Sequence, residues 1–387
     1  MLNILYKKLF AKLFLLIFIT YGLLFITNFT FEQNFVVNKY PLDLGIEIYD
    51  EEKFHLLETP NPGCDIYELS QTKYFNEIHP LGCQPNSLVI ETLYNGHEVM
   101  KNDRYGFLND DIVWDKPNKF NNYLVGDSLT RGCCELYEYS PAKKLNNQNI
   151  NSVNLGIENS SPLQMLATLR EYVPVDNKGR VFFIVFENEI LNMEQKHDKN
   201  PLLTKYLNDR SFSQHLTTKN KQINNIYRSY YDSYYSDRDY RALLKKYIKL
   251  NNIRIVINYL LSPKNKAYVD DRFFTRETVK NVLGTNREIT YMAKDYAEKI
   301  NKEFIYVFIP SKRNFFPNQT RSEFVKNFKK ELLKFKEDML VIDFDEILRN
   351  KHNNKNVILS YFSEASDHLS PKGAVLFSNI LINSVKN

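Results

Sequence analysis

From about Phe120 onward the chain alternates short apolar runs with longer amphipathic stretches. No other feature constrains the fold as strongly. Runs that are apolar at consecutive positions read as strands buried on both faces, and the amphipathic stretches between them read as the helices that cover those strands. The pattern predicts strands from Tyr123 to Val125, Ser152 to Leu155, Val181 to Phe186, Phe304 to Ile309 and Met339 to Asp343. It predicts helices near Leu163 to Tyr172, Arg287 to Ile300, Ser322 to Phe335 and Pro371 to Val385. The last opens Ser370-Pro371, a cap followed by proline at the first helical position. The expected class is therefore α/β with a parallel central sheet.

More than a hundred residues separate the third and fourth strands, far more than a crossover needs. A helical insertion is expected at about residues 193–285. Its stretch from Asn220 to Asn252 is crowded with Tyr, Lys, Arg and Asp, which fits either a solvated helical face with inward tyrosines or a sugar-binding groove. Ahead of the alternating region, residues 34–119 read as a lead-in that wraps the main domain at 120–387. Gly106, in Asp103-Arg104-Tyr105-Gly106-Phe107, predicts a tight turn between short strands.

Residues 1–33 read as a membrane anchor. Leu13 to Phe31 carries no charge and matches the length of a membrane-spanning helix. Lys7, Lys8 and Lys12 precede it and Glu32 is the first charge after it, which leaves the N-terminus in the cytoplasm and sends the remainder across. No small-residue cleavage site follows the apolar run, so an uncleaved single-pass anchor is expected, with an extracytoplasmic or periplasmic domain.

An oxidising compartment changes how the four cysteines are read. Cys64 and Cys83 share the lead-in and are either a disulfide or two free thiols. Cys133 and Cys134 are neighbours, and a buried apolar role suits them. No Cys/His spacing matches a zinc site, and no metal or cofactor is expected. The net charge of +5 is small for 387 residues and no basic stripe interleaved with aromatics is present, so nucleic acid is not the expected partner.

The first strand of the main domain ends in Gly126-Asp127-Ser128-Leu129. In α/β sheets, ligands and nucleophiles sit beyond the carboxyl ends of strands. Gly-Asp-Ser is also ordinary turn chemistry, so its meaning depends on the other strand ends. The second strand runs into Asn154-Leu155-Gly156, the third into Glu187-Asn188-Glu189, and His368 stands just before the last helix. Each has a plain structural reading, as turn glycine, helix cap or surface histidine. In this order they form an acyl-transfer set, with Ser128 the nucleophile and His368 the base. The Ser128 N–H, the Gly156 N–H and the Asn188 amide are the candidate donors to the oxyanion.

These four blocks resemble the SGNH (GDSL-type) hydrolase superfamily. The resemblance covers about Phe120 to the C-terminus, and Asp103 to Phe107 resembles the lead-in of membrane-anchored bacterial members. It implies a three-layer α/β/α fold of flavodoxin-like type and metal-independent catalysis. It implies esterase, lipase, deacetylase or O-acyltransferase activity, here on an acylated cell-surface glycan or lipid. Two departures bear on the site: the family's Asn-Asp block reads Asn188-Glu189 here, and the acid before the histidine is displaced. The family's aspartate three residues before the histidine is Ala365 here, so either Asp367 or Glu364 is the candidate third member, or a backbone carbonyl orients the ring. The same departure keeps open a module that binds glycan or an envelope partner without catalysis.

Overall fold

The computed structural model describes residues 2–31, 77–93, 96–115, 121–132, 135–175, 178–190, 200–227, 229, 250, 253, 276–316, 323–363 and 367–386. The chain divides into two compact units, Met1–Glu51 with Tyr231–Tyr268, and Glu52–Tyr230 with Val269–Asn387.

The first unit contains α1 (Leu2–Phe31). Its segment Phe10–Thr27, 18 residues, is long and apolar enough to cross a membrane by length and composition. Phe14, Ile17 and Phe18 are exposed on it. The Thr20 and Thr27 hydroxyls donate to the carbonyls of Leu16 and Leu23 at 2.8 and 2.9 Å. Those bonds satisfy both hydroxyls within the helix, as a lipid setting requires.

The second unit is built on a five-stranded parallel sheet. Its strands are β3 (Asn121–Gly126), β4 (Ser152–Gly156), β5 (Gly179–Phe186), β6 (Lys302–Ile309) and β7 (Leu340–Asp343), in the order β4-β3-β5-β6-β7. Counted along the chain, that is the 2-1-3-4-5 order of flavodoxin-like doubly wound sheets. β3 is buried at every position and β5 at all but Arg180, which is why Tyr123 to Val125 and Val181 to Phe186 read as unbroken apolar runs instead of alternating ones. Alternate side chains feed two helical layers. Leu124, Phe182, Ile184, Ile305 and Val307 pack with Leu145, Phe344, Leu348, Phe377 and Leu381. On the opposite face Tyr306 meets Phe335, and Phe308 meets Phe328.

The covering helices are α2 (Ser128–Arg131), α3 (Pro141–Asn147), α4 (Pro162–Tyr172), α5 (Pro201–Asn208), α6 (Arg276–Lys299), α7 (Glu323–Asp338), α8 (Phe344–Lys351), α9 (Lys355–Leu359) and α10 (Pro371–Lys386). All five expected strands and four expected helices lie within a few residues of these bounds, except that α6 begins eleven residues before Arg287. The short helices α3, α8 and α9 escape periodicity, because one or two turns hold too few residues to show a repeat. Within the expected insertion, α5 and a 3-10 turn at Leu216–Thr218 are described. Glu171 on α4 ties them down, accepting from the Tyr206 hydroxyl and the Gln214 and Leu216 N–H groups. Most of the tyrosine-rich run from Asn220 to Asn252 lies outside the described residues.

In the lead-in, β1 (Leu88–Leu93) and β2 (Gly96–Lys101) form an antiparallel hairpin. Asp103 follows it and shapes the next stretch. Its Oδ1 accepts the Tyr105 and Phe107 N–H groups, both at 2.9 Å, and its Oδ2 accepts Asn109 Nδ2 and Trp114 Nε1 at 2.7 and 2.8 Å. Burial pushes its carboxyl up to about 6, against those four hydrogen bonds. The turn expected at Gly106 is present, with φ +87°, and a Cβ there would collide with the Cys83 carbonyl. It lies beyond the hairpin, where the Asp103 carboxylate accepts the N–H groups on either side of it, those of Tyr105 and Phe107. Cys83 is fully buried and disulfide-bonded. The other cysteines, including the candidate partner Cys64, lie outside the described residues.

Candidate active site

β3 and β5 are neighbours, and the chain leaves them in opposite directions along the sheet, from β3 to β4 and from β5 to β6. That is the topological switch point, where doubly wound sheets bind ligands. Ser128 follows β3 there. Asp127 caps the single turn α2, its Oδ1 accepting the Leu129 N–H at 3.0 Å. Gly132, with φ +91°, closes the turn by donating to the Ser128 carbonyl at 3.0 Å. Asp127, Leu129, Thr130 and Arg131 are buried, while Ser128 is half-exposed. The turn thus presents one hydroxyl outward. Gly126 permits it, since a Cβ there would collide with the Thr130 hydroxyl.

His368 meets that hydroxyl. Its Nε2 lies 2.9 Å from Ser128 Oγ, across 240 positions of sequence. The histidine sits just ahead of α10, and its carbonyl accepts the Ser363 N–H at 2.8 Å. Asp127, fully buried behind the serine, has its carboxyl raised by burial. The His368 charge and nearby backbone N–H groups oppose that rise.

The two candidate acids fare differently. The Asp367 carboxylate does not turn to the imidazole. Its Oδ2 accepts from Ser311 Oγ at 3.1 Å and pairs with Arg313 Nε at 3.4 Å. Consecutive side chains diverge, so a residue adjacent to His368 faces the neighbouring loop. Glu364 lies outside the described residues.

The Gly156 N–H also differs from expectation. It donates to Asn154 Oδ1 at 2.9 Å. Asn154 has a second hold, its Nδ2 on the Arg131 carbonyl at 3.1 Å. Gly156 is glycine because α2 packs onto the end of β4, where a Cβ would collide with the Arg131 backbone N. Asn188 lies directly beyond β5, half-exposed, and its Oδ1 is buried with no hydrogen-bond partner among the described residues. Its neighbour Glu187 is buried and accepts from the Ser311 N–H at 2.9 Å and from Asn314 Nδ2. Burial pushes the Glu187 carboxyl up to about 7.

Three residues beside the site, Ser311, Lys312 and Arg313, carry no advance signal in the sequence. They follow β6 in a 3-10 turn, and nothing local marks that turn as facing His368. No group of three or more His, Cys, Asp or Glu suited to a metal ion occurs among the described residues.

Among solved structures, the chain is similar to one titled "Structure of a putative lipolytic protein of G-D-S-L family from Desulfitobacterium hafniense DCB-2". The identity is 17%, covering 68% of this chain and 99% of that one, with a TM-score of 0.38. No protein-family model matches the chain, and no curated protein matches it.

Proposed function

We propose that this chain is a serine-dependent enzyme of the SGNH type acting on ester-linked acyl groups. The observation that carries the reading is the 2.9 Å approach of His368 Nε2 to Ser128 Oγ at the switch point of the sheet. A neutral imidazole there takes the hydroxyl proton as Oγ attacks the acyl carbonyl carbon. The carbonyl electrons move onto oxygen. The Ser128 N–H, at the first position of α2 where helical N–H groups lack an intrahelical acceptor, suits that oxyanion. The Asn188 amide is the second donor. The Gly156 N–H joins them only by sharing or leaving Asn154 Oδ1. Collapse expels the alcohol, which takes its proton from His368 and leaves an acyl-Ser128 ester. Water or an acceptor hydroxyl then attacks that ester with His368 again as base.

The substrate we infer is an acylated glycan or lipid of the cell surface. Two observations support an exported, anchored domain. The apolar segment Phe10–Thr27 of α1 is long enough to span a bilayer and follows Lys7 and Lys8, and Cys83 is disulfide-bonded, which suits an oxidising compartment. A second reading is a module that binds such a glycan or an envelope partner without catalysis. The placement of Asp367 on Ser311 and Arg313 favours it, because that carboxylate does not support the imidazole.

Intact-mass analysis of the full-length chain, treated with a fluorophosphonate in detergent, separates the two. One adduct on the wild type and none on Ser128→Ala is expected, together with hydrolysis of a short-chain p-nitrophenyl ester by the wild type alone. Absence of both adduct and hydrolysis in the folded wild type overturns the enzymatic reading.

A further inference from the structure

His368 stands between α9 and α10, where the described residues form an isolated bridge, Phe362 to Leu369. For catalysis the imidazole has to stay within hydrogen-bond reach of Ser128. The turn after β6 grips the segment at both ends. Lys312 Nζ donates to the Ser363 carbonyl at 2.9 Å, on the near side of the histidine. Ser311 Oγ and Arg313 Nε hold Asp367 at 3.1 and 3.4 Å, immediately before it. The Ser363 N–H to His368 carbonyl bond closes the loop between these holds.

The turn is itself rooted in the sheet. Phe315 is fully buried and lies 5.7 Å from Phe362, ring centre to ring centre. The Ser311 N–H and the Asn314 side chain both bind Glu187, the residue next to Asn188. One turn therefore ties the loop of the base to the strand end that carries the candidate oxyanion amide.

We propose that Ser311, Lys312 and Arg313 are the positioning residues of His368, and that Asp367 serves as the anchor they hold instead of as the acid of a triad. The inference rests on the reading of Ser128 and His368 as nucleophile and base. None of the three touches the reacting atoms. Their effect is on the share of time the imidazole spends aimed at Ser128 Oγ, and a displacement of about 1 Å costs up to about a hundred-fold in rate.

The test is the inactivation of the full-length protein by a fluorophosphonate over a range of probe concentrations. It compares the wild type with Ser311→Ala, Ser311→Thr, Lys312→Met and Arg313→Ala. The expected result is a limiting inactivation rate lowered about ten-fold or more in Ser311→Ala and Lys312→Met. The half-saturating probe concentration stays within about two-fold, and Ser311→Thr, which keeps the hydroxyl, restores the rate. Wild-type limiting rates in the folded variants overturn the proposal. So does a loss in Ser311→Ala that threonine fails to restore. Arg313 is half-exposed, so Arg313→Ala decides the matter if the other two do not fold, with an unchanged rate again overturning it. A wild type that takes no label fails differently, because it removes the acyl-transfer reading on which the clamp depends.

Discussion

Asn109 pairs with the outer edge of β4 as another strand would. Its Oδ1 accepts the Asn154 N–H at 2.8 Å, and its Nδ2 donates to the Asn154 carbonyl at 2.9 Å. β4 is an edge strand, so these groups would otherwise lie open to pairing with another chain. Asn109 Nδ2 is also held by Asp103, so the lead-in covers the sheet edge next to the nucleophile turn.

Replacing Asn109 with Ala leaves both backbone groups of Asn154 buried without that partner and takes a donor from Asp103. The expected cost is about 2–4 kcal/mol of stability, read from the shift in urea midpoint at constant slope. A shift within error would show that solvent reaches the β4 edge freely.

Gly156→Ala forces a Cβ against the Arg131 backbone, with no flexible side chain to move aside. We expect a loss of about 3 kcal/mol or more, measured by the same denaturation. A fully stable Gly156→Ala protein would mean that α2 and the end of β4 do not pack this closely.

Asn188→Ala removes a candidate oxyanion donor from a half-exposed position. Turnover of a p-nitrophenyl ester is expected to fall about a hundred- to a thousand-fold with little change in KM. Equal kcat values in the two proteins would take Asn188 out of the oxyanion site.

Asp367→Asn keeps an acceptor for Ser311 Oγ and loses the ion pair with Arg313. As an anchor, Asp367 predicts a fall in kcat/KM of about ten-fold. Loss of the carboxylate of a working triad costs about ten-thousand-fold. Steady-state kinetics distinguish the two, and a fall of the larger size would return Asp367 to the imidazole.

Glu187 sets a pH dependence of stability. Its carboxyl titrates near 7 in the folded protein against an ordinary 4.5, because burial disfavours its charge. The folded state thus binds the proton more tightly than the unfolded chain does. This contribution is full below about pH 4.5 and is lost as pH rises to about 7, at most about 3 kcal/mol. Glu187→Gln is expected to flatten that part of the stability curve. Parallel curves for the two proteins would contradict a buried, proton-binding Glu187.

The central sheet was legible from residue order because its cause is local. Unbroken apolar runs such as Val181 to Phe186 signal strands buried on both faces, and Asp127 next to Ser128 signals a capped turn whatever surrounds it. The order of Ser128, Gly156, Asn188 and His368 was likewise written in the chain, and so was the apolar length of α1. Which atoms meet was not. Ser128 and His368 are 240 positions apart, and Ser311 and Asp367 are 56 apart. The strand order and the packing of each loop against its neighbours bring such pairs together. The same packing gave the Asp367 carboxylate to Ser311 and Arg313, whereas the Gly156 N–H bond to Asn154 Oδ1 spans only two residues and is local. Each buried polar group takes the partner that tertiary contact places within about 3 Å of it, and short-range pattern carries no record of that choice.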